Sequence, residues 1–98
     1  MIVHLQPSAI RDLEQIGDYI ALDNPTRALS FVRELRAACL DLGELARAFP
    51  LVPRYAEKGV RYRVSGNYLI VYRIVEQEAR VDVLRVVHGA RDWVGTFI

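Results

Sequence analysis

The chain has 98 residues, 52% of them hydrophobic and 26% charged, with a net charge of +1. That length supports one modest core, and no apolar run approaches the roughly 18–20 residues needed to span a bilayer. Cys39 is the only cysteine, which excludes an internal disulfide. With no charged-then-apolar leader pattern at the N-terminus, the expectation is a cytoplasmic protein forming one domain over residues 1–98. Charge is unevenly spread. Positions 1–53 hold five arginines against seven acids, whereas 54–98 hold seven arginines and Lys58 against five. An anionic partner is therefore expected on the second half.

Ile2-Val3-His4-Leu5-Gln6 is β-branched and closed by Pro7, which predicts a strand. Pro7 suits a first helical turn and Ser8 offers a capping hydroxyl. Ile10, Leu13, Ile16 and Ile20 then recur at helical spacing, with Asp12 and Glu14 near the positive end of the helix dipole. Asp23-Asn24-Pro25 ends this helix and opens a second, with Asn24 as cap. Ala28, Phe31, Val32, Leu35, Ala38, Cys39 and Leu42 share one face of that second helix, expected to reach about Arg47. Phe49 to Pro53, with two prolines, predicts a loop.

After Gly59 the period changes to two. Val60, Tyr62 and Val64 alternate with Arg61 and Arg63, the pattern of a half-buried strand with its arginines outward. Ser65-Gly66-Asn67 is a turn, and Tyr68 to Val75 is apolar enough for a central strand covered on both faces. Glu76-Gln77-Glu78 is a further turn before a last strand from Arg80 to Val87. Three strands with short turns predict an antiparallel meander that the first strand joins, with both helices on one face. The fold class is α+β in the order β-α-α-β-β-β. The sequence assigns no place to the tail from His88 to Ile98.

Arg61, Arg63, Arg85, His88 and Arg91 form the polar constellation of interest. Arginines stabilise an anionic transition state and a histidine protonates a leaving oxygen. The same arginines also suit a solvated face or partner carboxylates, and His88 also suits hydrogen bonding at the end of the last strand. Tyr62, Tyr68 and Tyr72 among arginines resemble a base-stacking platform, but the even spacing of Tyr68 and Tyr72 in an apolar strand favours core packing. Cys39 on an apolar helix face reads as an inert buried thiol. His4 and His88 have no ligands at metal-site spacing, so neither metal nor cofactor is expected.

Asp23-Asn24-Pro25, the run from Arg61 and Arg63 through Gly66-Asn67-Tyr68-Leu69-Ile70-Val71-Tyr72-Arg73, and His88-Gly89-Ala90-Arg91-Asp92 together resemble the ParE toxins of the ParE/RelE superfamily. The resemblance implies a RelE-like fold, with an N-terminal strand and helical hairpin packed on a small antiparallel sheet. It implies a type II toxin that poisons DNA gyrase and forms a hetero-oligomer with a cognate ParD-like antitoxin, whose C-terminal segment wraps it. Operator DNA would be contacted only through that antitoxin. RelE-type relatives instead cleave mRNA on the ribosome, a reaction that would draw on Arg63, Arg85, His88 and Arg91. Many of those enzymes carry an arginine directly after the tyrosine where this chain has Leu69. Trp93 and Phe97 also lack the hydroxyl of a C-terminal tyrosine that some of them use. By analogy with removal of an oxyanion-hole donor, which costs about 2.7–4 kcal/mol, losing the phosphate-contacting arginine weakens transition-state stabilisation by several kcal/mol. The endoribonuclease is therefore the second reading, and a non-toxic relative that only represses its operon is the third. Arg85, His88, Arg91, Asp92 and Trp93 are the expected target-binding residues. Arg61, Arg63 and Arg73 are expected to meet antitoxin carboxylates. Leu13, Ile16, Phe31 and Leu35 are expected either to line an antitoxin groove or to fill the core.

Overall fold

The structure, a computed structural model, describes residues 1–89. It runs β1 (Ile2–Leu5), α1 (Pro7–Ala21), α2 (Pro25–Leu40), a short α3 (Leu42–Leu45), a 3₁₀ segment (Pro53–Lys58), β2 (Val60–Ser65), β3 (Tyr68–Val75) and β4 (Arg80–His88). Pro7 opens α1, and the Gln6 carbonyl accepts from the amides of Ala9 and Ile10. Ser8 lies inside the helix and makes no capping bond there. At α2 the expected cap forms, with the Arg27 amide donating to Asn24 Oδ1 at 3.0 Å.

The second helix ends at Leu40, short of Arg47, and α3 follows after Asp41. The start of the chain packs against α3: the Met1 ammonium donates to the Gly43 carbonyl at 2.6 Å. A Cβ on Gly43 would lie 2.5 Å from the Met1 carbonyl oxygen. Only a glycine admits this approach.

The sheet order is β1-β4-β3-β2, with β2, β3 and β4 forming the antiparallel meander. β1 pairs parallel to β4, from Ile2 opposite Arg80 to Leu5 opposite Val83, so the sheet is mixed and not wholly antiparallel. The reason is the helical hairpin. α1 leads away from β1, and α2 brings the chain back beside Met1. β2 therefore starts from the end at which β1 starts, and two hairpin turns later β4 runs the same way.

Both faces of β3 are covered, and Ile70, Val71 and Tyr72 are each 0% exposed. The larger core lies between helices and sheet and includes Leu13, Ile16, Leu35, Leu42, Ile70 and Tyr72. A smaller one on the opposite face joins Val52, Val60, Leu69, Val71 and Val87, with Tyr55 and Tyr62 against it. The segment expected to be only a loop covers that face. It bridges β2, with the Val52 amide donating to the Val60 carbonyl at 2.8 Å and the Tyr62 amide to the Pro50 carbonyl at 3.1 Å. Prolines lack the donor but keep the carbonyl, so Pro50 still accepts.

Candidate functional site

At the far end of β4 from its pairing with β1, a cleft of about 360 Å³ lies between α1 and the sheet. Asp12, Gln15 and Tyr19 from α1 form one wall, and Tyr68, Arg85 and His88 form the other. The His88 ring meets the Tyr68 ring edge-on, with centroids 5.3 Å apart, and Tyr68 also meets Phe31, tilted, at 5.7 Å. A second hollow of about 420 Å³, bounded by Ile20, Asp23 and Asn24, shares Tyr19, Tyr68 and His88 with the first. Arg85 and His88, two expected target-binding residues, thus share one cleft. Arg91, Asp92 and Trp93 lie outside the described residues.

Asp12 organises this cleft, a role the sequence reading missed when it assigned the residue to the helix dipole. Its carboxylate is 8% exposed and accepts three hydrogen bonds. Arg85 supplies two, Nε to Oδ2 at 2.7 Å and Nη2 to Oδ1 at 3.0 Å, and the Val86 amide supplies the third at 2.8 Å. One sequence signal was available: Asp12 falls on the buried stripe Ala9, Leu13, Ile16. An acid on such a stripe needs an internal partner, because leaving a buried charge unpaired costs several kcal/mol.

Arg61 and Arg63 do not point outward. Their cross-strand neighbours Tyr72 and Ile70 belong to the helix-side core, so the arginines share that face. Arg61 Nη1 donates to the Phe49 carbonyl at 2.7 Å and Arg63 Nη1 to the Ala38 carbonyl at 2.8 Å. The Arg63 guanidinium also lies 5.0 Å from the centre of the Phe49 ring. The Ala38 carbonyl lies in the last turn of α2, where helical donors run out, and Arg63 supplies one, while Arg61 ties down the segment that follows α3. The alternation of β2 gave its period correctly but not which face the helices cover.

Arg73 is exposed on the opposite face, in a cross-strand row with Asp82 and His4. Asp82 is buried and takes a two-pronged contact from Arg80, which also pairs with Glu78. The hydrogen bond from Arg80, helped by the charges of Arg80, His4 and Arg73 and opposed by burial, holds the Asp82 carboxyl below the usual carboxylate range.

An apolar groove of about 470 Å³ runs along the outside of the hairpin, lined by Ile10, Leu13, Gly17, Ala28, Leu29 and Val32. Glu14 and Arg36 also line it, and Leu29 is 56% exposed. Of the four apolar residues singled out in the sequence, only Leu13 borders this groove. Ile16 borders the cleft, Phe31 packs on Tyr68, and Leu35 is 1% exposed in the core. Ile10, Leu29 and Val32 were not named as groove residues, because helical periodicity does not say which of two flanks the partner helix leaves open.

Burial pushes the Cys39 thiol up to about 11, against the lowering influence of Arg36 and Arg63, so it stays protonated at neutral pH. Among the described residues no three side chains form a metal-binding group, and no helix is long and apolar enough to cross a membrane.

A strand, a helical hairpin and a meander in this order define the RelE-like class of toxin folds. The toxin–antitoxin system named as chromosomal ParDE from P. aeruginosa contains a chain that superposes with a TM-score of 0.77 at 21% identity, covering 90% of this chain and 95% of that one. A chain of the RelBE2 toxin–antitoxin complex from Mycobacterium tuberculosis superposes with a TM-score of 0.62 at 30% identity, covering 89% and 95%. No curated protein matches the sequence. The family model described as the ParE toxin of the type II toxin–antitoxin system parDE matches residues 3–93. The chain belongs to the ParE toxin family.

Proposed function

We propose that this ParE-type toxin arrests growth by binding and poisoning DNA gyrase from the cleft of Arg85 and His88, and that a cognate ParD-like antitoxin neutralises it. The observation that carries the binding reading is the engagement of two of the cations a nuclease would need. Arg63 is tied to the Ala38 carbonyl and Arg85 to Asp12. A guanidinium already paired with a carboxylate is a poor counter-charge for an anionic phosphorane, and Leu69 stands where many nuclease relatives carry another arginine. The groove outside the hairpin supports the antitoxin. It offers apolar surface to an amphipathic segment that folds on binding, with Glu14 and Arg36 to fix its register. Of Arg61, Arg63 and Arg73, it is Arg73 that is exposed to an antitoxin carboxylate. The working form is a cytoplasmic hetero-oligomer that reaches operator DNA through the antitoxin.

The endoribonuclease remains the second reading, favoured by His88 and Arg85 sharing one cleft. The test is gyrase supercoiling with purified toxin, scored for trapped DNA breaks. Inhibition with cleaved DNA, reversed by the antitoxin, is expected. No effect at excess toxin, together with mRNA cleavage on programmed ribosomes, would replace this reading by the second. No effect in either assay would leave the operon repressor.

A further inference from the structure

We propose that Asp12 is a positioning residue of the target-binding cleft, fixing both the Arg85 guanidinium and the strand end that carries His88. This rests on the reading of Arg85 and His88 as the surface that meets the target.

The argument begins with the edge of β4. β1 pairs with it only as far as Val83, where the Gln6 amide closes the ladder at 2.9 Å. Beyond that point, among the described residues, no strand pairs with this edge. The next donor along it, the Val86 amide, meets Asp12 Oδ2. A side chain of α1 thus replaces a strand partner and holds the last turn of the sheet against the helix. The register shift at the same place leaves Val71 opposite Arg85 and Tyr72 opposite Val83, so Leu84 has no partner across the sheet. Bulges of this kind re-aim the side chains that follow them. Arg85, re-aimed here, reaches the carboxylate that also holds Val86. His88 lies two residues further on, so its contact with Tyr68 depends on the same anchor.

Stability alone does not account for the pair. A buried ion pair is often no better than two well-packed apolar residues, and what it adds is a fixed geometry. That geometry keeps a cation in the cleft at one orientation while neutralising it, which suits hydrogen bonding to a protein surface better than attraction of bulk negative charge.

The test compares wild type, Asp12→Asn, Asp12→Glu, Arg85→Ala and His88→Ala. Growth arrest is read as the inducer dose that halves growth, at matched toxin levels, so the readout does not presuppose the target. Affinity of each purified variant for the cognate antitoxin reports the fold and the groove. Asp12→Asn keeps an acceptor for the Val86 amide and removes the charge. Asp12→Glu keeps the charge and displaces it. Both are expected to weaken growth arrest about tenfold or more, the scale of coupling between contacting residues, while antitoxin affinity stays within about twofold. A parallel fall in arrest and antitoxin affinity in both Asp12 variants would reduce the role to folding and overturn the proposal. Full arrest by both, with arrest lost in Arg85→Ala, would overturn it while leaving the cleft intact. Full arrest by Arg85→Ala and His88→Ala would remove the cleft and the proposal together. Absence of gyrase inhibition by a wild type that still arrests growth would revise the target and leave the proposal standing on the growth data.

Discussion

The Tyr72 hydroxyl donates a hydrogen bond of 2.6 Å to the Ala46 carbonyl, joining the centre of β3 to the end of α3. Tyr72 is 0% exposed, and burial pushes its phenol above the usual range, so it stays a donor through neutral pH. Tyr72→Phe keeps the ring and leaves the Ala46 carbonyl without this donor. A loss of about 1–3 kcal/mol is expected, the cost of an unsatisfied buried group. Urea denaturation should show a lower midpoint with an unchanged slope. An unchanged midpoint would mean that water replaces the bond and that the α3 end is not fixed by it.

Gly43 makes the tightest backbone approach among the described glycines. Gly43→Ala places a methyl where the Met1 carbonyl now lies, 2.5 Å away, so main chain must move. Destabilisation of about 1–3 kcal/mol is expected from this overpacking. Gly17→Ala meets only a Val32 methyl, at 3.1 Å, which can turn aside. Its effect on the thermal midpoint should be the smaller of the two, and the reverse order would show that the N-terminus yields more readily than the hairpin.

The cluster around Asp82 makes a prediction in acid. Its carboxyl is held low in the folded protein, first by the Arg80 hydrogen bond and then by the charges of Arg80, His4 and Arg73. A lowered folded value means the stabilisation is present above the unfolded value of about 3.9 and disappears as pH falls through the folded one. Asp82→Asn should therefore be less stable than wild type near about pH 7, with the gap closing below about pH 4. Denaturant midpoints for both proteins across that range are the check. A gap that persists undiminished in acid would assign the effect to packing and not to charge.

Much of the fold was legible because local chemistry and global packing agree. Asn24 and Pro25 cap and start α2 as their backbone preferences dictate. The run from Tyr68 to Val75, apolar except for Arg73, became the central strand because only a strand covered on both faces needs so few polar residues. Where reading failed, the deciding partner lay far away in sequence. Asp12 and Arg85 are 73 residues apart, and nothing near Asp12 announces a guanidinium. Arg61 and Arg63 looked outward because alternation specifies two faces without naming the one the helices cover. The carbonyls that turned them inward belong to Ala38 and Phe49.

The sequence by itself determined the two long helices and the four strands, their order, the class of fold and the kinship to ParE toxins, since caps, turns and periods act over a few residues. Tertiary structure alone decided the parallel docking of β1 on β4, the approach of Met1 to Gly43 in α3, the apolar groove outside the hairpin and the Asp12–Arg85 pair. Each of these depends on which surfaces meet when a two-helix hairpin returns the chain to its own beginning. That meeting is a property of the packed whole, in which a buried charge must find its partner wherever the chain has carried it.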